Sequence, residues 1–471
     1  MNERLCENTW ESLCDFVGGR AGCELTEALR DLYSIYDKSI VEWFANLYDP
    51  KIGGYYYSNS ARDNEPFRPD SESTLQALAV ITRSGMAGKG RGYHDVIPEW
   101  MKKQLIRFIK GLQDPNGFFY HPQWDRAETD RNISRRGRDL MWSTAILRTL
   151  GSAPTYDAPN GAKGDGILPD GSRVEPADTR KEDKGDAAPT AKNEANEACA
   201  PHFESRESYI AYLDGLLAEK RSLSFYSIGN QLIAEMPQLL RRDELLSESG
   251  ADYRFKDILI EWLNAHQNPE TGHWEKDNNG YLGVNGLLKI ACIYNDAAAE
   301  LPYADRAAES AIAAIILDEP IGAVVDIYNT WFAVQLILKN MRAYGSSSVI
   351  DGVMLDGNAR ADRTVRNLRA IAAPAIRKTK EKILRFKKPD GSFSYCPDYP
   401  APTSQGMYVC IAKQYEGDVN ASNISTTGLV GFIYEALELI DHMVPLFGKE
   451  ELELYLSILD RNARAAGVLV D

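Results

Sequence analysis

Apolar residues recur through most of the chain at the three-to-four-residue spacing of amphipathic helices, and one kind of turn repeatedly interrupts them. The stripe that begins at Ile40 ends at Asp49-Pro50, turns at Gly53-Gly54 and runs into Tyr55, Tyr56 and Tyr57. The same order returns at Pro115, Gly117 and Phe118, at Pro269, Gly272 and Trp274, and at Pro389, Gly391 and Phe393. Proline stops the helix, glycine takes the positive φ of the turn, and the aromatic residue folds back over the helix end. Each turn leads through a polar stretch into a second, more apolar helix, near 70–85, 135–151, 280–295 and 419–440. Further helical stretches are expected near 24–48, 94–112, 206–218, 224–240, 252–266, 303–317, 323–343, 361–386 and 449–466. Regular alternation is confined to the short aromatic segments, which disfavours a parallel-sheet α/β fold.

About thirteen helices, alternately amphipathic and apolar, leave too many for a four-helix bundle and suit an all-α fold, an α/α toroid of about six helical hairpins. From about 152 to 204 the chain becomes rich in Gly, Pro, Asp, Lys and Ala and loses its apolar periodicity. That segment is expected to be a flexible, disordered insertion, because the hairpin pattern continues on both sides of it. The expected organisation is therefore one domain, 1–471, with the insertion inside it.

The turns Gln113–Phe118 and Gln267–Trp274 resemble the Gln-to-Gly-to-aromatic repeats of the terpenoid cyclase and protein prenyltransferase class of toroids. The toroids of polysaccharide lyases and some glycoside hydrolases share the hairpin logic. The resemblance covers roughly 35–150 and 252–442, and it implies a fold rather than a reaction. The chain lacks the D-x-D-D and D-D-x-x-D motifs of that class and its Asp-x-Cys zinc signature.

Hydrophobic residues at 44% and charged residues at 26% exclude a chain disordered throughout. The net charge of −15 repels nucleic acid and anionic membranes, so an anionic ligand has to be caught by a local basic group. No apolar run approaches the roughly 18 residues of a membrane span, and the opening residues lack a signal-peptide pattern. These features lead to the expectation of a cytoplasmic protein with no membrane partner. The seven cysteines include no C-x-x-C pair and read as reduced thiols. Without a phosphate loop, a G-x-S-x-G elbow or an H-E-x-x-H site, no cofactor and no metal are expected.

In a toroid the starts of the inner helices converge at one mouth, where free N–H groups favour anions. Those starts are polar here. Asp70, Glu72 and Asp418 are the candidate catalytic carboxylates, and Tyr120 and His121 the candidate proton-transfer groups. Arg135, Arg136 and Arg138 form the one dense basic group and suit a carboxylate, sulfate or phosphate, because the guanidinium fork matches such oxygens. Trp124, Tyr281, Asn285, Tyr328, Asn329, Trp331 and Asn420 complete the expected binding surface, since aromatic faces among polar groups suit sugar rings. An eliminating lyase needs Arg or Asn to neutralise a uronate and His or Tyr to remove the adjacent proton; a hydrolase needs two carboxylates. The expectation is a carbohydrate-active enzyme that takes an acidic glycan or oligosaccharide, lyase slightly ahead of hydrolase. A terpenoid-cyclase-like enzyme and a non-catalytic glycan- or protein-binding toroid are the alternatives. Oligomeric state is left open.

Overall fold

The recurring turn shows why the helices stop where they do. In the computed structural model, which describes residues 9–174, 200–218, 224–276 and 280–469, the N–H of Asp114 donates to the Phe118 carbonyl and the N–H of Gly117 to that of Asp114. The Asn116 side chain accepts the Phe118 N–H at 3.0 Å. Lys388–Ser392 repeats this arrangement with Asp390 in the place of Asn116, and Asn268–His273 is one residue longer. The chain then doubles back. The N–H groups of Tyr56, Tyr120 and Ser394 donate to the carbonyls of Leu47, Leu112 and Phe386, and the Trp274 indole donates to Leu263, so carbonyls left open at the helix ends are satisfied.

Two more copies of the turn, Ala158–Ala162 and Leu168–Ser172, lie inside the segment expected to be a flexible insertion. That expectation is corrected for 152–174. The Gln113 side chain exchanges hydrogen bonds of 2.9 and 3.0 Å with the Tyr156 backbone, and buried Lys110 pairs with Asp165 at 2.7 Å. Turn chemistry and polar anchors order a stretch that has little apolar surface to bury. Residues 175–199, the rest of the expected insertion, lie outside the described residues, and a 3-10 turn at Pro201–Phe203 follows them.

The longer helices are α1 (Trp10–Val17), α2 (Gly19–Tyr33), α3 (Lys38–Asn46), α4 (Ser71–Arg83), α5 (Glu99–Gly111), α6 (Ile133–Thr149), α7 (Arg206–Ala218), α8 (Phe225–Glu248) and α9 (Phe255–His266). They continue as α10 (Gly280–Asp296), α11 (Ala304–Ile316), α12 (Val325–Tyr344), α13 (Gly357–Ala370), α14 (Ala372–Ile383), α15 (Val419–Asn423), α16 (Leu429–Ala436) and α17 (Lys449–Ala465). A π-helical stretch, Ile424–Gly428, joins α15 to α16. The fold is all-α, and the β-structure among the described residues amounts to three two-stranded hairpins and isolated bridges. The expected helix at 24–48 is divided because Asp37 caps a new start by accepting the Ser39 N–H at 2.8 Å. The stretch at 361–386 is likewise divided, at Ile371, and α1 had no counterpart in the sequence reading.

Packing relates the helices in a definite order. Helix α4 packs on α6, α6 on α8, α8 on α10, α10 on α12, α12 on α16, and α15 returns to α4, so these elements form a closed cycle of neighbours. Other long helices pack against these or against one another: α5 against α6, α9 against α8, α11 against α10 and α12, and α3 against α17. Turn glycines set the fit between successive units. A Cβ on Gly272 would overlap the backbone of Ala307 in α11, and one on Gly391 would overlap Ser39 in α3, which joins the last turn to the first unit. A contiguous apolar core runs from Leu13 to Leu459 and contains residues from both sides of 175–199. No helix among the described residues is long and apolar enough to cross a membrane.

Candidate functional site

Asp70 caps the start of α4 by accepting the Ser73 N–H at 2.9 Å, which fixes Glu72 in the first turn. Opposite, on α6, Arg135 is fully buried and contacts Asp139 at 2.9 Å, Glu72 at 2.9 Å and Asp70 at 3.3 Å. The Trp124 ring covers its guanidinium at 4.3 Å and Trp142 lies at 5.8 Å. These neighbours use the whole side chain. Arg135 is therefore a joint between α4 and α6 and no substrate clamp, which corrects the sequence expectation. The hairpin of Thr403–Ser404 and Met407–Tyr408 closes over this cluster. Ser404 donates to Glu72, Asn132 donates to the Gln405 carbonyl at 2.6 Å, and the Trp124 indole donates to the Tyr408 carbonyl at 2.7 Å.

One turn further along α6 the surroundings change. The helices of this cycle carry rows of half-buried side chains at helical spacing: Gln76 and Ala79 on α4, Arg138, Met141 and Ala145 on α6, Tyr226, Asn230 and Ile233 on α8. Lys289 and Cys292 on α10, Tyr328, Phe332 and Gln335 on α12, and Phe432 and Glu435 on α16 continue them. Such spacing puts the half-buried side chains of each helix on one face.

Arg138 and Lys289 lie within electrostatic reach of each other. Arg138 donates to Asn230 at 2.6 Å, and its buried Nε has no partner. The Lys289 ammonium lies 5.6 Å from the Tyr226 ring centroid. Burial, aided by repulsion from Arg138, pulls Lys289 down to about 8. Among the described residues neither cation has a carboxylate within ion-pairing distance. Glu72 borders this centre: burial raises its pKa, Arg135 and Arg138 oppose the rise, and its Oε1 has no hydrogen-bond partner. Burial, with Tyr226 nearby, raises the Tyr328 pKa and Arg138 opposes the rise, and the ring stacks on Phe432 at 6.1 Å. Phe432 stacks on Phe332 at 3.9 Å, and Tyr395 lies close to Tyr226 and Tyr328.

Of the residues singled out in the sequence, Asp70, Glu72, Trp124 and Arg135 meet in the buried cluster, with His121 against Trp124 at 4.8 Å, and Glu72, Arg138 and Tyr328 lie within electrostatic reach of one another. The rest are dispersed. The buried His121 faces the Pro69 carbonyl with Nε2 and accepts the Gln123 N–H on Nδ1, so both ring nitrogens are engaged, and burial lowers its pKa. Tyr120 points into a separate polar cluster, donating to Asp130 at 2.7 Å with Arg126 stacked over its ring at 3.9 Å. Arg136 joins that cluster, 3.6 Å from Asp130 and 4.7 Å from the Phe118 ring. The Tyr281 hydroxyl donates to Leu317, and the fully buried Trp331 donates to Thr379 toward α14. Asn285 donates to Asp326 at 2.8 Å and accepts from Asn329 at 2.7 Å, tying α10 to α12. Asp418 caps α15 through the Ala421 N–H, also accepts the Tyr395 N–H, and is pushed up to about 7 by burial against those donors. Asn420 is half-buried in the first turn of α15. No group of three or more His, Cys, Asp and Glu side chains able to hold a metal ion occurs among the described residues.

Compared with known proteins, the chain matches no family model, no curated protein and no solved structure. The site is read from its own residues. Sequence reasoning missed Lys289, Tyr226, Asn230 and Tyr395. Lys289 had a signal: it is the one basic residue in the largely apolar α10. Tyr226 and Asn230 stand four apart at the start of α8, a helix recognised without its inward face.

Proposed function

We propose that the closed cycle of helices is an α/α toroid and that its centre takes an acidic sugar or oligosaccharide as the substrate of a carbohydrate-active enzyme. One observation carries this reading: in a chain of net charge −15, Arg138 and Lys289 lie within electrostatic reach of each other, and among the described residues no carboxylate forms an ion pair with either. Two adjacent interior cations repel each other, and an anion relieves the repulsion. Asn230 and the rings of Tyr226 and Tyr328 add the polar and flat surfaces a sugar uses.

Elimination is favoured over hydrolysis, with residues other than those first expected. Arg138 and Asn230 neutralise the uronate, Lys289 removes the proton beside it, since a lysine brought to about 8 is a usable base near neutral pH, and Tyr328 protonates the departing oxygen. Hydrolysis would rely on Glu72 and Asp418; Asp418 is committed to backbone N–H groups, and Glu72 has one oxygen taken by Arg135 and Ser404. The Phe332–Phe432 stack, with Tyr328 stacked on Phe432, supports a second reading, a prenyl diphosphate as ligand.

The test measures binding of uronate oligosaccharides and their neutral counterparts, then follows the near-ultraviolet absorbance of an unsaturated product. Preference for the acidic sugar, lost in Arg138→Met and Lys289→Met, supports the reading. New reducing ends without that absorbance would make the enzyme a hydrolase. Binding of prenyl diphosphate with no affinity for any glycan would replace the proposal by the second reading.

A further inference from the structure

The N-terminal helices carry chemistry that the centre does not use. Cys14 on α1 and Cys23 on α2 bring their sulfurs within 3.4 Å of each other. The link between the helices, Gly18-Gly19, has φ values of 76° and 59° and folds α2 back along α1. Gly22 permits the close approach, since a Cβ there would lie 2.6 Å from the Cys14 carbonyl oxygen. Cys23 is exposed and Cys14 half-buried, and a surface cavity of about 340 Å³ opens onto both sulfurs. Among the described residues no other two cysteine sulfurs are in contact.

We propose that Cys14 and Cys23 are a redox-responsive dithiol that closes to a disulfide and staples α1 onto α2. The oxidant is a small disulfide of the glutathione type. The Cys23 thiolate attacks one of its sulfurs, the oxidant's S–S bond breaks, and one glutathione thiolate departs. The Cys14 thiolate then attacks the Cys23 sulfur of the mixed disulfide, forming the Cys14–Cys23 bond and expelling the second glutathione. Both thiol protons end on the released glutathiones, and two electrons pass from the protein to the oxidant. The staple matters because α1 reaches the rest of the fold through α2 and through Phe16, which stacks on His442 at 3.7 Å. Phe16 lines a cavity with Gln335 and Glu435, the last members of two of the central rows. Oxidation thus fixes an aromatic side chain at the far rim of the centre.

The full-length protein is exposed to oxidised glutathione under native conditions, remaining thiols are blocked with iodoacetamide, and peptides are mapped by mass spectrometry. The expected product is a Cys14–Cys23 linked peptide, lighter by two hydrogens and restored by dithiothreitol. Cys14→Ser should instead retain a stable glutathione adduct on Cys23. Amide exchange across 10–17 should slow by about tenfold on oxidation of the wild type and stay unchanged in Cys14→Ser. Separate glutathione adducts on both cysteines, a bond from either to Cys6, or a linked protein with unaltered exchange over α1 would each overturn the proposal.

Discussion

Arg135 and Arg138 stand about one turn apart on α6, yet the same side chain meets opposite circumstances. Arg135 has three carboxylates around it, two indole rings against it and no solvent. Arg138 has Asn230 for a hydrogen-bond partner and the Trp142 ring at 5.5 Å, and it feels Glu72 and Lys289 only at a distance, with no ion pair among the described residues. A guanidinium enclosed by carboxylates is occupied in holding two helices together. One without an ion-pair partner is the residue the proposed function assigns to the ligand. The difference separates architecture from recognition more sharply than exposure does, since Arg138 is itself half-buried.

The largest expected effect tests the architectural side. Arg135→Met strands three buried carboxylates and should cost about 3–5 kcal/mol in urea unfolding, whereas Arg138→Met should change stability by less than about 1 kcal/mol. Equal losses would erase the contrast. On the recognition side, Arg138→Met should weaken binding of an acidic sugar by about 1.5–3 kcal/mol in titration calorimetry, the scale of a charge-assisted hydrogen bond.

Asp418 sharpens the comparison through pH. Its folded pKa is raised from 3.8 to about 7, so between those values the folded chain holds a proton that the unfolded chain has released. The stability from that proton is fully present below 3.8 and is lost as pH rises through about 7. Melting temperature followed from pH 4 to 8 should carry this decline, and Asp418→Asn should remove that component. The smallest effect is expected at Tyr120→Phe, which gives up one hydrogen bond to Asp130 at a cost of about 0.5–1.5 kcal/mol and leaves turnover unchanged. A collapse of turnover there would return Tyr120 to the chemistry.

The turns were legible in the sequence because their chemistry is local: proline, an Asn or Asp acceptor and glycine act within five residues. The copies at Ala158–Ala162 and Leu168–Ser172 use the same chemistry but have no apolar helix between them, so composition concealed them. The site was less legible. Whether an arginine on α6 meets carboxylates or a lysine depends on helices that begin more than sixty residues upstream or downstream. Asp70 and Glu72 reach Arg135 from one side, and Lys289 approaches Arg138 from the other. His121 and Tyr120 are adjacent in the chain, yet one turns inward to Pro69 and the other outward to Asp130, a divergence that spacing cannot record.

The contact of Gly391 with Ser39, with α3 packed on α17, also constrains how the chain is made. During synthesis the first hairpin emerges hundreds of residues before the partners that cover its flank. Until then its apolar side stays open, and native contacts of such sequence separation slow the search for the final state. A ribosome-bound chain ending before α17 should therefore remain protease-sensitive in α3. The order of birth along the chain and the order of completion in the fold run in opposite senses for its first unit.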